Sequence, residues 1–212
     1  MKFKNSEAGN IVLNLIKTIH ENRNFLSEID GKIGDGDHGI NMDKGFTLCN
    51  KKLEGKTYSM SEGLCILGQT LLGDIGGSMG PLYGVFFDEL STSSEDVEEI
   101  DATAFECMIK AAVKGVEEIG GAKKGDKTLL DTLIPAVEAY SSALAEGKSF
   151  DECLEALKAA AKEGWQNTKD MVAKIGRASR LGERSRGVLD AGATSCYLIV
   201  SSIASTVQEL LK

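Results

Sequence analysis

Apolar residues recur at helical spacing along almost the whole chain, and glycine rather than proline interrupts them. Val12, Ile16 and Ile19 fall on one face of a helix, with Ile11 and Leu15 alongside. The same period predicts helices over about 9–28, 40–53, 61–73, 81–91, 101–120, 128–146, 150–173 and 191–211. No convincing run of alternating strand residues competes with them. The only two prolines, Pro81 and Pro135, both fit near helix starts, Pro81 better. "STSSEDVEE" at 91–99 is a polar connection, but no proline-rich or serine-rich linker divides the chain. The expected fold is all-α, with about eight helices in a single domain spanning 1–212.

The glycines mark connections. "GDGDHGINM" joins the first and second helices, "GDIGGSMGP" (73–81) the third and fourth, and "GGAKKGDKT" (120–128) the fifth and sixth. "IGRASRLGERSRGVLDAGATS" (175–195) lies between the seventh and eighth. In an antiparallel helical array, alternate connections lie at the same end. These four segments are therefore expected to meet and to build one site.

The first of them extends to "EIDGKIGDGDHGINM", Glu28 to Met42, with Asp30, Asp35, Asp37 and His38. On a helix Asp30 and Asp37 would point roughly the same way, and Asp35 about 140° away from Asp30. Gly31, Gly34, Gly36 and Gly39 would each cost a helix about 1 kcal/mol, so the stretch reads as a loop. Carboxylates that converge in a loop repel unless a positive charge sits among them. All-oxygen ligands suit a hard cation, Mg²⁺ or Ca²⁺. An EF-hand is excluded: counted from Asp35, Ile40 stands where its glycine belongs and Phe46 where its bidentate glutamate belongs. The plainer reading is an acidic turn that caps the next helix.

Charge sharpens the choice. The chain carries five arginines, and Arg177, Arg180, Arg184 and Arg186 fall within ten residues, while lysine serves elsewhere. Arginine recognises phosphate in a planar, bidentate manner. A solvated basic turn is the alternative. A formal net charge of −8 argues against a nucleic-acid surface. No apolar run approaches the roughly 20 residues of a membrane span, and "MKFKNSEAGN" lacks a signal-peptide core, so the chain reads as cytoplasmic. The five scattered cysteines have no CxxC pair and read as reduced thiols rather than zinc ligands.

Assembled at one end, the parts make a nucleotide-phosphate site. Carboxylates hold Mg²⁺ against phosphate oxygens, glycines admit phosphate to backbone N–H groups, and arginine balances the remaining charge. No GxxxxGK[ST] loop, no GxGxxG after a strand and no protein-kinase catalytic set is present. His38 could contact the nucleotide, relay phosphate, or be structural. His20, on the first helix, reads as structural.

"GDGDHGINM", "GGSMGPLYG", "GDKTLLD" and "GRASRLGERSRGVLDAGATS" together resemble the nucleotide-binding L subunit of dihydroxyacetone kinase, in the same order and over nearly the whole chain. The resemblance implies a closed antiparallel barrel of eight helices with the nucleotide site at one end. It implies ADP/ATP with two Mg²⁺ ions as cofactors, and Asp30, Asp35 and Asp37 as metal ligands. His38, Asn41, Gly77, Ser78, Met79, Gly120, Leu129, Arg177, Asp190, Ala191 and Gly192 occupy nucleotide-binding positions, with Arg177 and His38 closest to catalysis. It further implies a phosphotransferase-system-dependent kinase. A phosphohistidine on an M subunit phosphorylates tightly held ADP, and the γ-phosphate passes to dihydroxyacetone bound covalently on a K subunit.

Two positions depart from the family pattern. Met79 stands where a small polar residue is common, and "LDAGATS" has Leu189 and Ala191 where "QDPGATS" is usual. The competing readings are the L subunit of a tetrulose or other ketose kinase, a fatty-acid kinase nucleotide domain, and a non-catalytic nucleotide-sensing regulator. The fatty-acid kinase pattern, "DGDTGTNM", places threonine where His38 stands.

Overall fold

The computed structural model describes residues 1–212. Eight α-helices follow the expected order: α1 Asn10–Ile33, α2 His38–Leu53, α3 Met60–Asp74, α4 Met79–Thr92, α5 Ala102–Gly120, α6 Leu130–Ala145, α7 Phe150–Asn167 and α8 Ala191–Leu210. Each packs on the next in the chain, and α8 also packs on α1. Forty-six buried residues, drawn from all eight helices and from the segments between them, form one hydrophobic core.

Three features differ from the sequence expectation. Two three-residue strands, β1 Lys2–Lys4 and β2 Glu99–Asp101, pair antiparallel and tie the N-terminus to the start of α5. They are too short for a period to register. Helix α7 stops at Asn167, where Thr168–Asp170 turns once in 3-10 form. Pro135 is the sixth residue of α6, further inside than a helix start. The N–H it lacks would have bonded the carbonyl of Asp131. Gly164 of α7 packs against that carbonyl so closely that a Cβ there would stand 2.3 Å from it.

The helix starts fall into two sets. At the end carrying β1 and β2, α3 and α7 begin with capping boxes, Ser59 with Glu62 and Ser149 with Glu152. The Asp101 carboxylate accepts from Thr103 and Ala104 N–H at the start of α5. Only α1 lacks a side-chain cap there. At the opposite end α2, α4 and α6 all begin without one, and only α8 is capped, by Asp190. No helix is long and apolar enough to cross a membrane.

Candidate functional site

Helix α1 runs on to Ile33, so Asp30 lies on its last full turn rather than in a loop. Ile29 and Ile33 are buried, and packing outweighs the glycine penalty at Gly31. The connection proper is only Gly34–Asp37, after which α2 begins at His38. Its entry is fixed by close approach. A Cβ on Gly39 would sit 2.0 Å from the Arg23 carbonyl of α1, so only glycine lets α2 start there. The sharp turn brings the three carboxylates together. One oxygen from each of Asp30, Asp35 and Asp37 lies within 4.8 Å of the others. The Asp30 carboxylate also accepts from His38 N–H at 3.3 Å. Asp35 and Asp37 are exposed, and Asp30 is half-buried.

The arginine-rich connection reaches this corner as expected. Arg177 forms an ion pair with Asp35. Arg180 and Arg184 remain exposed without an acidic partner, whereas Arg186 pairs with Glu183 and donates to the Asp170 carbonyl. Arg177–Ser185 is wound as 3-10 turns broken at Gly182, and Gly176, Gly182 and Gly187 all have positive φ.

His38 faces α8. Its Nε2 lies 2.9 Å from the Ser195 hydroxyl, which in turn lies 2.6 Å from the Tyr83 hydroxyl of α4. Tyr83 also donates to the Gly192 carbonyl at 2.9 Å. Burial pushes the His38 imidazole down to about 4, with Asp30 opposing the shift. His20 lies elsewhere on α1, paired with Asp43.

The other positions that the resemblance singles out lie at the same end of the array. Ser78 precedes α4, and Met79 and Gly80 begin it, after a turn in which Gly77 has φ +76 and open space around it. Gly120, at the end of α5, packs against Leu82 of α4. Gly192 of α8 lies against Leu129, whose own side chain is buried. Asp190 accepts from Ala193 N–H at 2.7 Å, and burial raises its carboxyl to about 6. Ala191 is buried behind it, and Asn41 lies on the first turn of α2. Contacts thus link the first, third and fourth of these connections, and Leu82 and Tyr83 on the first turns of α4 bring the second to the same end of the array.

Sequence reasoning passed over four residues here. Tyr83 and Ser195 look like ordinary helix residues and gain meaning only through contact with His38. Asp131 is buried and accepts from Gly125 and Thr128 N–H, shaping the α5–α6 connection. Lys127 is buried with a left-handed backbone, φ 64, which no sequence pattern betrays.

The donor set fits a divalent cation with a polyphosphate: three clustered carboxylates, an arginine paired with one of them, and the glycine-rich start of α4, where no side chain caps the first N–H groups. Comparison with known proteins agrees. The DAK2 domain family matches residues 32–205. The chain is 38% identical over 189 residues to the ADP-binding subunit DhaL of PEP-dependent dihydroxyacetone kinase 1 from Listeria innocua, covering 89% of each chain. It is 36% identical over 186 residues to the corresponding DhaL subunit of Escherichia coli strain K12, covering 87% of this chain and 89% of that one. The fold is similar to that of the C. freundii dihydroxyacetone kinase solved in complex with AMP-PNP and Mg²⁺, with a TM-score of 0.69 at 23% identity. That likeness spans 97% of this chain and 34% of the larger one. By the family match and these full-length relatives, the chain belongs to the DAK2 family, among the ADP-binding subunits of dihydroxyacetone kinases.

Proposed function

We propose that this chain holds Mg-ADP as the nucleotide subunit of a cytoplasmic, phosphoenolpyruvate-driven dihydroxyacetone kinase. The carrying observation is the cluster of Asp30, Asp35 and Asp37, with Arg177 already bound to one of them. The printed names of the relatives, ADP-binding subunits of such kinases, support the same reading. The bound nucleotide supplies the group that accepts phosphate from a phosphohistidine carrier, the M subunit, and yields it to dihydroxyacetone on a K subunit.

The residues of this chain divide the work by chemistry. Asp30, Asp35 and Asp37 supply the oxygen ligands for one or two Mg²⁺ ions. They are brought into register by the end of α1 and the start of α2, so little reorganisation is needed on binding. Arg177 is exposed and carried on a turn with glycine at Gly176 and Gly182. It can leave Asp35 for a phosphate oxygen and so balance charge during transfer. The backbone N–H groups at Gly77, Ser78 and Met79 serve as anion donors. Because backbone is the donor, methionine at position 79 is no obstacle. His38 stays neutral at physiological pH because of its burial, and its Nε2 is held by Ser195. That suits a fixed nucleotide contact better than a phosphate carrier. Gly120, Leu129, Asp190, Ala191 and Gly192 line the rest of the nucleotide positions. The sugar is chosen on the K subunit, outside this chain.

The test is the route of phosphate. ADP-loaded protein is mixed with labelled phosphorylated M subunit, and protein and nucleotide are separated. Label in ATP is the expected result, with partial transfer retained in His38→Gln. Acid-labile label on His38 would overturn the nucleotide-acceptor mechanism, and no label in either place would favour a nucleotide sensor.

A further inference from the structure

Lys127 is unusual in two independent ways. It is the only non-glycine residue with positive φ, at 64°, a conformation that favours glycine or asparagine. Its side chain is also buried, at 1% exposure, where an ammonium is rarely placed. A strained backbone and a desolvated charge on one residue persist only if the surroundings hold them in place.

The surroundings are three carbonyls. An ammonium has three N–H donors. Those of Lys127 reach Ser185 O at 2.5 Å, Val188 O at 2.7 Å and Met171 O at 3.1 Å. None of these partners is a carboxylate. Burial lowers the pKa of the ammonium, and Asp190 nearby draws it back. All three carbonyls belong to the α7–α8 connection. Met171 precedes the arginine turn, whereas Ser185 and Val188 close and follow it. The two limbs also meet where Gly187 N–H donates to Lys169 O at 2.7 Å, Ala173 N–H to the Ser185 hydroxyl at 2.9 Å, Asp190 N–H to the Thr168 hydroxyl at 3.1 Å and the exposed Arg186 to the Asp170 carbonyl, but only Lys127 reaches both limbs from another connection with a single group. Lys174 N–H donates to Asp126 O at 3.1 Å, stitching the first limb to the residue beside Lys127. The tip between them carries Arg177 to Asp35.

We propose that Lys127 is a positioning residue whose ammonium cross-links both limbs of the α7–α8 connection and fixes the base from which Arg177 reaches the acidic corner. The assignment rests on reading that corner as the phosphate site. It adds a division of the connection: the limbs are pinned, and freedom is left to the turn between Gly176 and Gly182.

Lys127→Met keeps length and loses the donors. Hydrogen exchange of the ligand-free protein should quicken across residues 168–190 and stay unchanged in α1 to α5. Unchanged exchange across 168–190 would overturn the proposal. If the methionine variant does not fold, Lys127→Arg serves instead. It keeps the charge but spreads its donors over a plane, and the same local quickening is expected. Mg-ADP affinity is then measured by calorimetry in Lys127→Met, Arg177→Met and the double variant. Each single change should weaken binding about tenfold, the loss of one charge-assisted interaction. The double variant should bind no worse than Arg177→Met, because the lysine acts through the arginine. Losses that multiply would show an independent role and contradict the proposal. Full affinity in Arg177→Met would instead refute the phosphate role of Arg177, and the exchange result alone would then uphold or overturn the pin.

Discussion

The two ends of the helical array solve the same problem differently. Every helix start leaves N–H groups without intrahelical partners. At the end carrying β1 and β2, Ser59, Asp101 and Ser149 satisfy them with side chains, and Phe3, Phe105, Tyr140 and Phe150 pack beneath in mutual ring contact. At the other end α2, α4 and α6 start uncapped, glycines crowd the turns, and three carboxylates face one arginine. Three of the four helix starts at the first end are capped by side chains, whereas on the proposed reading an anion and a cation complete the second, which is how one fold can be both stable and ready to bind.

The largest expected effect tests the self-sufficient end. Phe105 is buried against Tyr140 and Phe150. Phe105→Ala should cost about 3–5 kcal/mol in urea unfolding, while the folded variant binds Mg-ADP as before. A small loss there would mean that the core does not rest on this cluster. The caps sharpen the contrast at smaller scale. Ser149→Ala should cost about 1 kcal/mol. Ser78→Ala should stay within about 0.5 kcal/mol, because that hydroxyl caps nothing. Equal losses would break the distinction between the two ends.

A separate contrast, within the second end, lies in the pH dependence of the ligand-free chain. The Asp190 carboxyl is pushed up by burial from 3.8 to about 6, so the folded chain keeps a proton that the unfolded chain has shed. Its contribution is full below the unfolded value and is lost as pH rises towards 6. His38 runs the other way. Burial lowers it from 6.5 to about 4, so its contribution is full above 6.5 and is lost as pH falls towards 4. Between the two the effects oppose. Asp190→Asn keeps a capping side chain and removes one of them. It should be more stable than wild type above pH 6 and lose stability more steeply on acidification. Parallel profiles would show that Asp190 is not a desolvated acid in the empty site.

Much of this was open to reading because it depends on local pattern. Eight helices follow from the period of apolar residues, and the meeting of four glycine-rich connections follows from alternation along an antiparallel array. Arg177 stood out because arginine is scarce elsewhere in the chain. The rest needed tertiary contacts. Burial of Ile29 and Ile33 carries α1 through Gly31 and past Asp30, against local propensity. Pro135 leaves the Asp131 carbonyl without its helical partner, and Gly164 of α7 closes on that carbonyl from a distant part of the chain. Tyr83 and Ser195 are more than 100 residues apart and join only through α4 and α8. Lys127 reads as one more surface lysine until three carbonyls of a distant connection surround it.

The central claim is that the incomplete end is completed by metal and nucleotide together. Thermal unfolding with ADP and excess Mg²⁺, compared with ADP and chelator, tests it directly. At about 100 times Kd a ligand stabilises the folded state by roughly 2.7 kcal/mol, which is about 5–10 °C for a chain of this size. The account predicts that shift with Mg²⁺, almost none with chelator, and its loss in Asp35→Asn. An equal shift with chelator, or coincident curves in all conditions, would contradict it.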